Sequence, residues 1–325
     1  MTLSQTAQTV QPTSRGYVSL PVAGNQHQLS EVDRYVDDFD ALAALEAGAE
    51  QDLAAIEALP HWQATAYESR YLPALRLVGL DAKEKVVLQN TADLHIHTQW
   101  SDGDDLDRVL AAAVEQRLDA IAITDHDEIG GALEARRRAH RRRLPLAVIP
   151  GVEVSSRDGH IGALFVTRTV PKGLSAAETV ERIHQAGGIA VAHHPFAPKL
   201  IERLLRVKLG CGDLLNTVPF DAIECTNAVP GFAARYNLAA RDAVENQRIR
   251  VAVTGSSDAH AAWQVGKGRT YYAGNEGPLS LQRSLQFGLC QGAEGYWRFR
   301  EKIRYRLHLL KALGKNFLFR RNSIG

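Results

Sequence analysis

Between residues 91 and 254 the chain alternates short apolar runs with helix-length segments, and few architectures accommodate that order. The runs are 91–96 (TADLHI), 119–124 (DAIAIT), 146–152 (LAVIPGV), 160–166 (HIGALFV), 188–193 (GIAVAH), 221–225 (DAIEC) and 250–254 (RVAVT). Helical patterns lie between most of them, at 106–117, 130–142, 175–187 and 231–247. Strands that are apolar on both faces belong to a parallel sheet covered on both sides. Seven of them suit a closed (β/α) barrel better than an open sheet. The barrel is expected over 91–290, flanked by two further regions. Residues 1–90 read as a mostly helical extension, with helices over 42–59 and 62–78. Residues 291–325 read as a basic amphipathic tail.

The polar residues of this region fall where the predicted strands end. Asp93-Leu94-His95-Ile96-His97 closes the first strand and leads into Ser101-Asp102-Gly103. Thr124-Asp125-His126-Asp127 closes the second, Glu153 the third, His193-His194-Pro195 the fifth and Ser257-Asp258-Ala259-His260 the seventh; His160 opens the fourth. In a parallel barrel the C-terminal strand ends converge on one mouth, where active sites sit. Residues two apart on a strand point to one side, so His95 and His97 share a face. Each motif alone has an ordinary reading: a pair of histidines without a metal, a helix cap in T-D-H-D, a turn in S-D-A-H. Together they place ligand-type groups at equivalent positions of six segments. Carboxylates gathered at a mouth without a counter-ion would be costly to bury. Imidazoles and carboxylates without thiolates suit divalent first-row metals.

In that order, DLHIHT-x-x-SDG, TDHD, PGVEVSS, GHIGALFV, AHHP and GSSDAH resemble the PHP (polymerase and histidinol phosphatase) family over roughly residues 91–275. The resemblance implies a distorted (β/α)7 barrel with up to three metals and hydrolysis of phosphoesters, among them histidinol phosphate, nucleotides and nucleic acid ends. Carried over by motif, His95, His97, Glu153 and Asp258 would hold one metal. Glu153 would bridge to a second with His160 and His194, and Asp102, His126 and His260 would hold a third. His194 is taken over His193 because it directly precedes Pro195. The metals expected are manganese, iron or zinc. A water bridging two cations would be the nucleophile, and the same cations would polarise the phosphoryl group.

Asp125 and Asp127 are the candidate catalytic carboxylates, orienting histidines or serving as general acid. Arg157, Lys199, Asn227 and Arg269 are the candidate substrate contacts. The run Arg136 to Arg143 is read as a solvated helix face rather than a nucleic-acid site. The tail carries 9 Lys/Arg against 1 Asp/Glu over 296–325, and residues 1–90 carry 6 against 12, so the tail is expected to dock on the acidic front. Its other readings are contact with a membrane surface or with nucleic acid. Three cysteines without a C-x-x-C pair and no basic-apolar leader point to the cytoplasm. The leading expectation is a phosphatase acting on a small phosphorylated metabolite or nucleotide. A nuclease with the same metals is the alternative, and a non-catalytic metal-stabilised scaffold is the third reading.

Overall fold

The computed structural model describes residues 88–307 apart from 231–232, 247–248, 250, 275–276, 295–296, 299 and 306. The helices expected over 42–59 and 62–78, and the tail beyond 307, lie outside the described residues.

The seven apolar runs all form strands: β1 (Asn90–Ile96), β2 (Ala120–Ile123), β3 (Ala147–Ser156), β4 (Gly159–Leu164), β5 (Ile189–Ala192), β6 (Ala222–Asn227) and β7 (Ala252–Ser256). Two more, β8 (Gly268–Tyr272) and β9 (Cys290–Glu294), complete one nine-stranded sheet in the order β7-β6-β5-β4-β3-β2-β1-β8-β9. Strands β1 to β3 and β5 to β7 are mutually parallel neighbours. β4 departs from the expected parallel sheet and runs antiparallel to both β3 and β5. The reason is the link. Only Arg157 and Asp158 separate β3 from β4, and a parallel crossover needs a dozen residues or more. β9 pairs with β8, so the sheet runs across the expected boundary at 290.

Helices α1 (Leu106–Glu115), α2 (Gly130–Arg141), α3 (Ala176–Gln185), α4 (Lys199–Leu205), α5 (Leu238–Asn246) and α6 (Pro278–Phe287) follow from local chemistry. Asp105 caps α1 by accepting from the backbone N–H groups of Asp107 and Arg108. Ser175 and Glu178 form a reciprocal capping box on α3. α1 and α2 bury Leu106, Val109, Leu110, Ala132 and Ala135 against Ile96, Ile121 and Ile123. α3 and α5 bury Val180, Ile183 and Ala240 against Ile161, Ile223 and Cys225. A third apolar cluster fills the inside of the curled sheet: Ala92, Leu94, Ala120, Ala122, Ile149, Leu164, Val191, Ala222 and Ala252. Leu281 and Leu285 of α6 join it, so α6 stoppers the interior.

The sheet curls until β7 meets the far edge. Gly255 N donates to Thr270 Oγ1 at 3.0 Å, and that hydroxyl donates back to Gly255 O at 2.8 Å. Ile96 and Ala259 form a parallel bridge at the mouth. The result is a nearly closed, barrel-shaped α/β sheet. Backbones cross so closely at this seam that a Cβ on Gly268 would lie 1.9 Å from Ser256 O. The described start of the basic tail packs on the barrel, and the acidic front on which the tail is expected to dock lies, apart from residues 88–90, outside the described residues. Trp297 meets Trp263 edge to face at 5.8 Å, and Lys267 Nζ lies 3.0 Å from Glu301. Among the described residues no helix is long and apolar enough to cross a membrane.

Two outcomes are expected. Gly268→Ala forces the seam apart and costs about 1–3 kcal/mol, a fall in melting temperature of roughly 5 °C by calorimetry; an unchanged melt would contradict the close crossing. The half-exposed His184 at the end of α3 bonds Asp221 Oδ2 at 2.8 Å, and that bond raises its pKa above 6.5. Its charged contribution is therefore complete below about pH 6.5 and lost as pH rises through the raised value. Urea midpoints of wild type and His184→Gln should differ most in acid and converge in alkali, by a margin kept small by solvent screening.

Candidate metal centre

Alternation along β1 would not by itself aim both histidines inward. Ala92 and Leu94 face the interior cluster, which would send His95 outward and bring Ile96 in. A register shift between Asp93 and Ile96 breaks the pattern. Ile96 turns to the helix layer, and His95 and His97 enter the mouth. β6 repeats the device between Glu224 and Thr226. Cys225 packs in the outer layer and Thr226 Oγ1 accepts from Arg241 of α5, so Asn227 turns inward.

These side chains meet around Glu153, which is 1% exposed. Its Oε1 lies 3.2 Å from His95 Nε2, 3.2 Å from His160 Nδ1, 3.0 Å from His193 Nδ1 and 3.1 Å from His194 Nε2. Its Oε2 lies 3.1 Å from His126 Nδ1 and 3.5 Å from His97 Nε2. Asp258 Oδ1 stands 3.5 Å from His95 Nε2 and 3.4 Å from His97 Nε2. Asp102 Oδ2 stands 3.3 Å from His260 Nε2 and 3.9 Å from His126 Nε2. All nine candidate ligands are thus in one cage. Their donor atoms fall into four overlapping groups, each within 4.8 Å: His97, Asp102, His126 and His260; His95, Glu153 and His194; His95, His97 and Asp258; His126, Glu153 and His160. His194 and Asp258 have φ of 27° and 52°, a left-handed backbone uncommon outside glycine. The chain bends sharply where it presents them.

The cage suits cations. Burial would raise the Glu153 carboxyl, but His160, His95 and His126 hold it well below the ordinary range. Burial would lower the His95 imidazole, yet Asp258, Glu153 and Glu224 push it well up, so the centre demands positive charge. Burial, with His260 and His126 nearby, lowers His97 to about 3 and leaves it neutral, with a lone pair to give. Among the described residues, the Nδ1 atoms of His97 and His194 are buried without hydrogen-bond partners. None of the three cysteines belongs to these groups, and burial pushes Cys211 and Cys225 up to about 12.

Glu224, which sequence reasoning missed, supports the cage from below. It is buried; Oε1 lies 3.1 Å from His95 Nδ1 and also receives the Ser256 hydroxyl. Its Oε2 accepts from His194 N at 2.7 Å and Asn227 Nδ2 at 3.0 Å. Its only signal in the sequence is an acid inside the apolar run AIEC. Asn227 Nδ2 also donates to Asp258 Oδ2 at 3.1 Å, so this side chain steadies a carboxylate of the cage. His193 stacks on His95 with ring centres 3.8 Å apart. Asp125 accepts from Thr98 N, Thr98 Oγ1 and Ser101 Oγ, and Asp127 from Ser155 N. Those bonds go to the loop after β1 and to the backbone of β3 rather than to imidazoles. Arg157 is exposed on the β3–β4 turn. Lys199 lines a pocket of about 280 Å³ beside Pro195, Phe196 and Tyr236, its Nζ 3.6 Å from Asp213. Arg269 is far from the mouth, because it bonds Gly266 O and the side chain of Gln116, at the end of α1 opposite the strand tips.

The PHP domain matches residues 93–224, and a PHP-associated region matches 234–288. An uncharacterized protein of Methanocaldococcus jannaschii is 32% identical over 149 residues, 42% of this chain and 81% of that protein. The chain belongs to the PHP domain family. The 5'-3' exoribonuclease Rnm of Escherichia coli is 42% identical to this PHP protein over 84 residues, 24% of this chain and 29% of Rnm. The phosphoribosyl 1,2-cyclic phosphate 1,2-diphosphodiesterase of Eggerthella lenta is 37% identical over 101 residues, 28% of this chain and 37% of that enzyme. The chain therefore spans well under half of both enzymes. A two-domain protein of Bacteroides vulgatus containing a predicted PHP-like metal-dependent phosphoesterase shares the fold, with a TM-score of 0.53 and 16% identity over 71% of this chain and 74% of that one.

Glu224→Gln removes the charge behind His95 and keeps the shape. Affinity for manganese, followed by calorimetric titration, should fall about 10- to 100-fold. Unchanged affinity would mean that Glu224 only fills space.

Proposed function

We propose that this PHP domain is a metal-dependent phosphatase acting on a small phosphorylated metabolite or nucleotide. The observation that carries the reading is the gathering of eight nitrogen- and oxygen-donor residues around one buried carboxylate at a barrel mouth. In this reading His95, His97, Glu153 and Asp258 hold one cation. Glu153 would also serve a second with His160 and His194, and Asp102, His126 and His260 would hold a third. Manganese, iron or zinc fits this donor set. When bound, such cations supply a nucleophile at neutral pH and relieve charge on the phosphoryl oxygens.

The protein's own groups do the rest. Glu224 and Asn227 fix His95 and Asp258, so the donors meet a substrate without rearranging. Asp125 pins Thr98 and Ser101 and thereby the loop that carries Asp102. The substrate enters beside Asp102, which is 55% exposed, rather than past His95 and Glu153 at the buried end. A small substrate is favoured over a nucleic acid because the basic run of α2 is engaged elsewhere. Arg137, Arg138 and Arg141 pair with Glu134, and Arg138 and Arg142 pair with Asp107. The nuclease reading is favoured by the Rnm relative and shares the same centre.

EDTA should abolish hydrolysis of p-nitrophenyl phosphate by the purified protein, and manganese should restore it. A supporting residue of a metal site is worth about 10- to 100-fold, so His97→Ala, which removes a ligand, should lower kcat/KM at least that much. Turnover indifferent both to chelation and to His97→Ala would refute the assignment.

A further inference from the structure

We propose that Trp100 is a stacking platform for a nucleobase held one sugar away from the scissile phosphate; the proposal rests on the phosphoester reading above and names its substrate class. Trp100 is 46% exposed, although an indole is among the side chains that gain most from burial. Trp263 and Trp297 behave ordinarily by comparison and pack against each other.

The exposed ring is seated on built ground. Its loop is tied down at both sides by one carboxylate, since Asp125 Oδ2 receives Thr98 Oγ1 at 2.6 Å and Oδ1 receives Ser101 Oγ at 2.7 Å. Trp100 N donates to Thr98 Oγ1 at 3.3 Å. The inner face of the indole lies on Gly130 and Gly131, the first two residues of α2. A Cβ on Gly130 would stand 2.6 Å from Cζ3 of the ring, and one on Gly131 would stand 2.9 Å from Cγ and 2.3 Å from Asp125 Oδ2. Glycine is a poor helix former, so this helix start gives up propensity to admit the ring and its fastening. The molecule has thus fixed a large flat aromatic surface with much of it left to water.

Its place explains the arrangement. Trp100 precedes Asp102 by two residues, which caps their backbone separation at about 7 Å. Asp102 in turn faces His97, His126 and His260 on the open side of the cage. A phosphate seated at that side leaves a sugar to span the gap and a base to lie on the indole. Base–aromatic stacking tolerates any base and changes affinity by roughly 10- to 100-fold. The same chemistry is offered by a mononucleotide and by the end of an oligonucleotide.

Steady-state kinetics of the manganese-loaded, full-length protein test this with adenosine 5′-monophosphate, a short 5′-phosphorylated oligonucleotide and ribose 5-phosphate. Trp100→Ala should raise KM for the substrate carrying a base about 10- to 100-fold with kcat little changed. Trp100→Phe should recover most of the loss, and ribose 5-phosphate should be indifferent to both. Whichever base-bearing substrate the wild type prefers decides between the two sources. Equal KM in wild type and Trp100→Ala, or an equal loss on ribose 5-phosphate, would overturn the proposal. A second readout needs no turnover: adenosine 5′-monophosphate should quench tryptophan fluorescence in wild type and not in Trp100→Phe. If the wild type hydrolyses nothing, the phosphatase reading fails alone, and the quench still decides whether the platform exists; no difference in quench would end it.

Discussion

A carboxylate sealed from water must be balanced by its surroundings, and Glu153 is ringed by six imidazoles within 3.5 Å, of which His95 is held protonated by its acidic neighbours. Those rings come from β1, β4 and the ends of β2 and β5, so the balance cannot form until the sheet has curled. The charge, not the apolar core, dictates the shape of the mouth. The apolar residues would be content in many barrels. Only one arrangement brings His160 on β4 opposite His95 on β1 with a shared carboxylate between them. Removing a single partner leaves the others facing uncompensated charge in a medium of low polarisability. Glu224 and Asp93 extend the same logic one layer down. Burial lifts Asp93 to about 6, although Ser257 and Gly266 donate to it, and it straps the β7–β8 connection to β1.

The strand ends were legible because ligand-type residues after apolar runs stand out in any parallel barrel. DLHIH, TDHD and SDAH announce themselves, and all nine of the residues singled out there lie in one cage. What escaped the sequence depends on contacts between distant segments. The register shift in β1 leaves no mark in its composition, yet without it Leu94 and the two histidines could not share an interior. Glu224 looks like an isolated acid in a buried strand until His95 is found against it, 129 residues away. Arg269 follows a motif in sequence, but its strand carries it to the opposite end of the barrel. The turn at Arg157 and Asp158 was readable in principle, since two residues cannot carry a crossover.

The antiparallel pair β8–β9, joined through α6, was the least legible part of the sheet. Its strands, GRTYY and CQGAE, are polar and are not the apolar runs that mark the other seven. They are strands because β1 and β7 leave edges that need partners. The pair continues the sheet beyond β1 and folds over toward β7, where backbone meets backbone at Gly268 and Ser256. Hydrogen bonding and close approach decide this part of the fold, and neither is written in hydropathy.

Among the described residues, Leu281 and Leu285 of α6 close the lower end of the barrel interior. In the proposed reading, a substrate would reach the buried imidazoles past the exposed Asp102, and its products would leave the same way. Incoming ester, departing alcohol and released phosphate would compete for a single passage. Turnover in such a chamber is governed as much by the order of traffic as by the speed of bond breaking.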